Sequence, residues 1–168
     1  PYNALIKNQI VPLLFNNTIT GNNVSLVVKE EQLVKAVNVI HGQVFGASKK
    51  INIAVFGKGL VGATLIEQIL GSTASILERR KIQLNVFAIA DSKKVLLNKK
   101  GITNDWEQDL IQNGKEETTI NDIISFAKEH HFENLIAVDN TASTSFVENY
   151  IPFIEAGYDL VSCNKIAN

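Results

Sequence analysis

Ile51-Asn52-Ile53-Ala54-Val55-Phe56-Gly57-Lys58-Gly59-Leu60-Val61-Gly62, continued by ATLIEQIL to Leu70, is the stretch that decides the fold. Residues 51–56 form a near-continuous apolar run, broken mainly by Asn52. Such a run suits a parallel strand covered on both faces. A helical pattern follows over residues 59–70, with Leu60, Ala63, Ile66 and Leu70 expected on its inner side. Between the two, each glycine has a physical task. Gly57 permits the tight turn, Gly59 lets backbone approach a pyrophosphate, and Gly62 allows close helix–strand packing. The first amides of the helix, together with its dipole, favour an anion there. Strand, glycine loop and amphipathic helix in succession point to a dinucleotide site. The competing reading is a turn that needs three glycines for shape alone. Lys58 reads as a solvent-facing loop residue, with a phosphate contact as the alternative.

Downstream, residues 71–73 interrupt the helical pattern, and residues 74–80 read as a short extension. A second parallel strand is expected over residues 85–90, ending at Asp91. A short helix follows over 106–112, capped by Asn104 or Asp105. Residues 119–130 give a stronger helix, where Thr119 and Asp122 approximate a capping box. A strand over 135–138 leads into Asp139-Asn140-Thr141. A helix over 145–156, kinked or broken early by Pro152 and closed by Gly157, precedes a last strand over 159–163. This strand–helix alternation predicts an α/β fold: a Rossmann-like, doubly wound parallel sheet.

Upstream, Gly21-Asn22-Asn23 reads as a turn, residues 24–28 as a strand and residues 30–41 as a helix. Leu33, Val34, Val37 and Ile40 are expected to form the inner stripe of that helix. Gly42, Gly46 and Ser48 suggest its end and a linker. This strand–helix tail is too small for a convincing core of its own and reads as the end of a preceding domain. The expected division is 1–46 and 47–168.

Composition narrows the function. The net charge is −1, from 16 basic and 17 acidic residues, which gives no nucleic-acid footprint. A lone Cys163, read as a small buried residue, gives no disulfide framework and favours a reducing, cytoplasmic compartment. No Cys/His spacing suggests zinc. No apolar run approaches the ~20 residues of a membrane span. His130, His131 and His41 sit at helix ends and are poor catalytic candidates. The chain contains no Met, so the parent protein is expected to continue beyond both ends.

Asp91 closes the second strand, where a ribose-binding acid belongs, but lies 29 residues beyond Gly62 rather than the usual ~20. Residues 71–84 absorb the excess. Ionised, Asp91 would accept ribose hydroxyls and disfavour a 2′-phosphate. Ser92, Lys93 and Lys94 follow, either as a solvated basic turn or as a counterweight that binds the phosphate. NAD and NADP therefore both stay open. Asn140, Thr141 and Ser143 fall at a strand's carboxyl end, where polar groups line such a crevice. Ser143 or Thr144 also serves as a helix N-cap. Lys165 follows the last strand, as a surface lysine or as a contact to the nicotinamide ribose or the substrate's charge.

Taken together, these motifs resemble the homoserine dehydrogenase family, specifically the bifunctional aspartokinase–homoserine dehydrogenases. NNVSLVVKEEQLVKAVNVIHGQVF resembles the end of the ACT regulatory region that joins the two halves of those enzymes. INIAVFGKGLVGATLIEQIL, NVFAIADSKK, Asp105-Trp106 and IAVDNTASTSF resemble successive pieces of the dinucleotide domain. SCNKIAN is similar to a stretch that normally reads Asn-Lys-Lys-Ala-Asn, with Ile166 in place of the second lysine. The resemblance implies that Gly57, Lys58, Gly59, Leu60, Val61 and Gly62 wrap the phosphates. It implies that Ala90 and Asp91 tune cofactor preference, and that Thr141, Ser143 and Lys165 stand on the nicotinamide side. The implied cofactor is NADP or NAD. The implied reaction of the parent, a homo-oligomer, is reversible reduction of L-aspartate 4-semialdehyde to L-homoserine. The family's substrate acids and catalytic lysine lie downstream, so the chain is expected to bind cofactor without turnover. A regulatory dinucleotide-sensing module without catalysis is the alternative.

Overall fold

The computed structural model describes residues 2–17, 23–44 and 49–165. The chain divides into two units, Pro1–Ala47 and Ser48–Asn168. The expected turn at Gly21-Asn22, the linker residues Gly46 and Ser48, the boundary after residue 46, and Ile166 lie outside the described residues.

In the first unit, α1 (Tyr2–Lys7) precedes an antiparallel pair, β1 (Leu14–Asn17) and β2 (Val24–Val27). A 3₁₀ turn over Glu30–Gln32 leads into α2 (Leu33–Val44). The core is small: Leu5, Ile10, Ala36 and Val39, with Leu26, Val28 and Ile40 packed on it. This corrects the expected stripe. Leu33, Val34 and Val37 are 52%, 50% and 54% exposed, and Ala36 and Val39 face inward instead. The helix carries two adjacent apolar stripes, and one short helix with two strands covers only the one that contains small Ala36. The helix also runs through Gly42 rather than ending there.

In the second unit, β3 (Lys49–Phe56), α3 (Leu60–Arg80) and β4 (Ile82–Ala90) form the first parallel crossover. Then come β5 (Lys94–Leu97), α4 (Trp106–Asn113), β6 (Lys115–Glu116), α5 (Ile120–Glu129), β7 (Leu135–Asp139), α6 (Tyr150–Glu155) and β8 (Tyr158–Ser162). The sheet order is β6-β5-β4-β3-β7-β8. The four strands β4, β3, β7 and β8 are parallel, whereas β5 and β6 continue the sheet antiparallel on one side. The sheet is therefore Rossmann-like but mixed, not wholly parallel. β5 has only four residues and β6 is the charged pair Lys115–Glu116, so neither carries the long apolar run that marks a buried parallel strand.

Both faces of the sheet are covered. Ile53, Val55, Val86 and Ile89 pack with Ile66 of α3 and with Trp106 and Leu110 of α4. Ala54, Phe56, Phe87 and Ala88 pack on the other face with Ile123 and Ala127 of α5 and Phe153 of α6. A register shift opposite Ile53/Ala54 places Phe87 and Ala88 on the same face. Asn52, the polar break in β3, is buried against its register partner: Asn85 Nδ2 donates to Asn52 Oδ1 at 2.7 Å, and Asn52 Nδ2 donates to the Glu133 carbonyl at 2.7 Å. A buried amide persists in a sheet core only when so satisfied.

Helix α3 runs unbroken through Gly71-Ser72-Thr73, against expectation. Thr73 Oγ1 donates to the Ile69 carbonyl at 2.9 Å, so its hydroxyl is absorbed by the helix. The helix stops at Lys81, in the left-handed region at φ 55°. Leu60, expected on the inner side, is 88% exposed, while Gly62 and Ile66 face the sheet. At 21 residues α3 is long and apolar enough to cross a membrane by length and composition, a property missed in the sequence. Here it is the crossover between two parallel neighbours. Asp105 precedes α4 without a side-chain cap, whereas Thr119 and Asp122 form the full capping box of α5. The single helix expected over 145–156 is a 3₁₀ turn, Ser145–Asn149, followed by α6. Pro152 falls in the first turn of α6, where its missing N–H costs nothing.

Candidate functional site at the carboxyl edge of the sheet

Register aligns the ends of four strands. Phe56 pairs with both Ala90 and Asp139, and Asp139 pairs with Ser162. The loops leaving this row enclose a crevice of about 990 Å³. It is lined by the glycine loop, by Ala90, Asp91, Ser92 and Lys93, and by Asn140–Ser143, with Thr118, Ile120, Ile123 and Phe146 closing one side. The structure thus brings together Gly57, Lys58, Gly59, Ala90, Asp91, Thr141 and Ser143. Leu60 and Val61 begin α3 with exposed side chains, so only their backbone amides can serve the crevice. Lys165 is exposed beyond β8 and is not among the lining residues.

The three glycines differ in what surrounds them. Gly57 has φ +87°, and a Cβ there would stand 2.8 Å from the Asn140 carbonyl oxygen. A Cβ on Gly62 would overlap the Gly57 carbonyl oxygen. Both positions are closed by the protein's own backbone. A Cβ on Gly59 meets nothing within 4 Å. Gly59 is the N-cap of α3, so the amides just after it lack intrahelical partners and open toward that space. An open cradle beside unpaired amides fits an anionic ligand rather than a purely structural turn.

At the end of β4, Asp91 Oδ1 accepts the amides of Lys93 and Lys94, each at 2.7 Å, and Oδ2 pairs with Lys58 Nζ at 2.9 Å. Partial burial pushes this carboxyl upward, but the Lys58 hydrogen bond and the two amides outweigh it and hold Asp91 below the ordinary carboxylate range. Lys58 is therefore an ion-pair partner rather than a free loop residue. Lys94 turns away: its ammonium donates to the Ile111 carbonyl at 2.7 Å and lies 4.0 Å from Glu116.

At the end of β7, Asp139 is 1% exposed and unites two strands. Its Oδ1 accepts the Thr141 amide at 2.7 Å. Its Oδ2 accepts the Tyr150 hydroxyl at 2.7 Å and Asn164 Nδ2 at 3.2 Å. The Tyr150 oxygen also lies 2.7 Å from Ser162 Oγ, which in turn accepts the Asn164 amide at 3.0 Å. Burial, together with the Asp139 carboxylate, raises the Tyr150 phenol above its ordinary range, with Ser162 opposing. Asn164 Nδ2 reaches the Ser143 carbonyl at 2.9 Å, so this network fixes the Thr141–Ser143 loop. Ser143 pairs with Ser145 Oγ at 2.9 Å, and Thr144, the N-cap position, makes no side-chain cap. Tyr150, Ser162 and Asn164 are functional supports that periodicity alone misses; an aspartate closing a buried strand was the available signal. Asn140 Oδ1 accepts from Cys163 Sγ at 3.3 Å, while Asn140 Nδ2 is buried without a protein partner. Cys163 is exposed, not buried as expected, because it follows the last residue of β8 at the sheet edge.

Residues 57–168 match the family model described as "Homoserine dehydrogenase, NAD binding domain". The bifunctional aspartokinase/homoserine dehydrogenase of Buchnera aphidicola (from Acyrthosiphon pisum) is 34% identical over 149 residues, covering 88% of this chain and 18% of that protein. A chloroplastic bifunctional aspartokinase/homoserine dehydrogenase of Zea mays is 30% identical over 169 residues, covering 99% of this chain and 18% of its own length. The chain thus spans about a fifth of the length of these curated relatives. Among solved structures, homoserine dehydrogenase from Thermoplasma acidophilum superposes with a TM-score of 0.55 at 19% identity, covering 71% of this chain and 36% of that one. A hyperthermophilic archaeal homoserine dehydrogenase mutant in complex with NADPH gives 0.50 at 22% identity, covering 70% and 37%. These two likenesses concern the fold.

Proposed function

The chain belongs to the homoserine dehydrogenase family, as a dinucleotide-binding domain of the bifunctional aspartokinase/homoserine dehydrogenase type, and from that premise we propose that its crevice holds NAD or NADP for the parent enzyme. The parent's reaction in this reading is the reversible reduction of L-aspartate 4-semialdehyde to L-homoserine. Residues 1–46 belong to an ACT-like regulatory region, and residues 47–168 form the cofactor domain.

The observation that carries the reading is Gly59. Its neighbours in the motif are closed by backbone, yet it faces open space at the start of α3. The backbone from Gly57 to Gly62 would take the pyrophosphate. The ribose next to adenine would lie toward Asp91, and the buried donor of Asn140 would turn to the other half of the ligand. When bound, the nicotinamide supplies or accepts the hydride; the protein supplies placement. Asp139 holds Thr141 and Ser143 in place through the Thr141 amide and through Asn164. Phe146 and Ile123 keep that wall apolar and help exclude water. Lys165, on the segment after β8, is proposed as a further contact on the nicotinamide side.

Calorimetric titration of this chain with NAD and with NADP tests the reading. Saturable binding of at least one is expected, and it should weaken strongly in Gly59→Val. Absence of binding to both at millimolar concentration would sink it. In a steady-state assay with aspartate semialdehyde and NADPH, residues 1–168 alone should show no turnover. Robust turnover would show that the substrate groups are already present here.

A further inference from the structure

Resting on the dinucleotide reading of this crevice, we propose that Tyr150, which does not itself line the crevice, is a positioning residue for the nicotinamide half of the ligand. Sheet order fixes which half is meant. β3 stands between β4 and β7, so the glycine loop leaving β3 has the Asp91 turn on one side and residues 140–143 on the other. A dinucleotide held by its pyrophosphate at that loop sends its two nucleosides to opposite sides. With the adenosine toward Asp91, the nicotinamide lies against residues 140–143.

Tyr150, the first residue of α6, reaches that wall through its hydroxyl. The phenolic oxygen lies 2.7 Å from Asp139 Oδ2 and 2.7 Å from Ser162 Oγ, yet it has one proton to give. A carboxylate only accepts, so Tyr150 donates to Asp139. Ser162 Oγ accepts the Asn164 amide and keeps its own hydrogen to donate to Tyr150. Asn164 Nδ2 returns to Asp139 Oδ2 at 3.2 Å and also reaches the Ser143 carbonyl at 2.9 Å. A ring of hydrogen bonds thus closes on Asp139, whose Oδ1 holds the Thr141 amide. Tyr150 alone in that ring comes from α6, and its aromatic ring stands 6.4 Å from that of Phe146, a lining residue. Without the hydroxyl, Asp139 Oδ2 keeps only the longest bond of the ring, that from Asn164, and the Ser162 hydrogen loses its acceptor. The phenyl packing stays. What is lost is the exact placement of residues 140–143 and of the stretch leading to Lys165, and small displacements of a placing wall are costly to a bound reactant.

Titration calorimetry of the full chain isolates that half, using NAD against ADP-ribose and NADP against 2′-phospho-ADP-ribose, which lack the nicotinamide ring. Whichever dinucleotide binds should do so about tenfold tighter than its truncated counterpart. In Tyr150→Phe that ratio should fall to about twofold or less, while the truncated ligand binds as before. Ser162→Ala breaks the ring at the next bond and should give the same selective loss, which decides the matter if Tyr150→Phe does not fold. An unchanged ratio, or equal weakening of the complete and truncated ligands, would make Tyr150 a support of the fold alone. A ratio near one in the unmodified chain would remove the nicotinamide wall that Tyr150 is to position. Each of these results overturns the proposal and leaves the dinucleotide reading intact. No heat with any of the four ligands would remove both.

Discussion

Two aspartates flank β3 at the carboxyl edge of the sheet, and they are put to opposite uses. Asp139, at the end of β7, is 1% exposed and bound by fixed partners from its own loop, from α6 and from the segment after β8. Asp91, at the end of β4, retains 18% side-chain exposure and shares one oxygen with a lysine that is itself 39% exposed. A carboxylate satisfied by buried dipoles is architecture, since each partner it loses becomes an unpaired buried group. A carboxylate satisfied by a half-exposed cation can exchange that partner for a ligand. The glycine loop between them repeats the contrast, with Gly62 closed by backbone and Gly59 open.

The contrast is most exposed to failure at Asp139. Asp139→Ala should destabilise the protein by about 4 kcal/mol, because Tyr150, Asn164 and the Thr141 amide lose their acceptor together. Urea unfolding measures this, and a loss below about 1 kcal/mol would place Asp139 with Asp91. Next in size is Gly62→Ala, expected to cost about 3 kcal/mol, since its Cβ meets a carbonyl oxygen that cannot retreat without moving Gly57. Asp91→Ala should cost only about 1 kcal/mol, a partly exposed ion pair and two turn amides being lost. Gly59→Ala should cost about 0.5 kcal/mol or less, the backbone at φ −62° accepting alanine freely. Its dinucleotide affinity should nevertheless fall about tenfold, because the added methyl occupies the phosphate cradle. An unchanged affinity would make Gly59 a bystander.

The pH dependence gives a finer test. The folded protein holds Asp91 below the ordinary aspartate value of 3.8, so its stabilisation is complete above that value and is lost as pH falls through the lower folded one. Thermal unfolding between about pH 5 and pH 2 should therefore show a slightly shallower acid decline in Asp91→Asn than in the unmodified chain. Identical slopes would mean that the Lys58 pair contributes nothing to the folded state.

Much of this is legible in the sequence. The run over residues 51–56 is apolar because β3 is buried on both faces, and the glycine spacing follows from the turn it must make. Thr119 and Asp122 cap a helix through contacts three residues apart, which local sequence encodes. Local pattern fails where distant segments choose. The inner face of α2 was misread because two apolar stripes compete and only tertiary contact selects one. β5 and β6 escape the sequence pattern because four residues and two charged residues are too short to show a strand period.

By itself, then, the sequence determined the strand–loop–helix unit, the glycine loop and the row of polar residues that follows the strand ends. These depend on interactions within a few residues or on a single periodicity. Only the tertiary structure decided how those residues are spent. Lys58 and Asp91 lie in different loops, and Asp139 ends β7 whereas Asn164 follows β8. Whether a charge faces solvent, a ligand or another charge is set by the register of parallel strands, and that register brings together residues the chain keeps far apart.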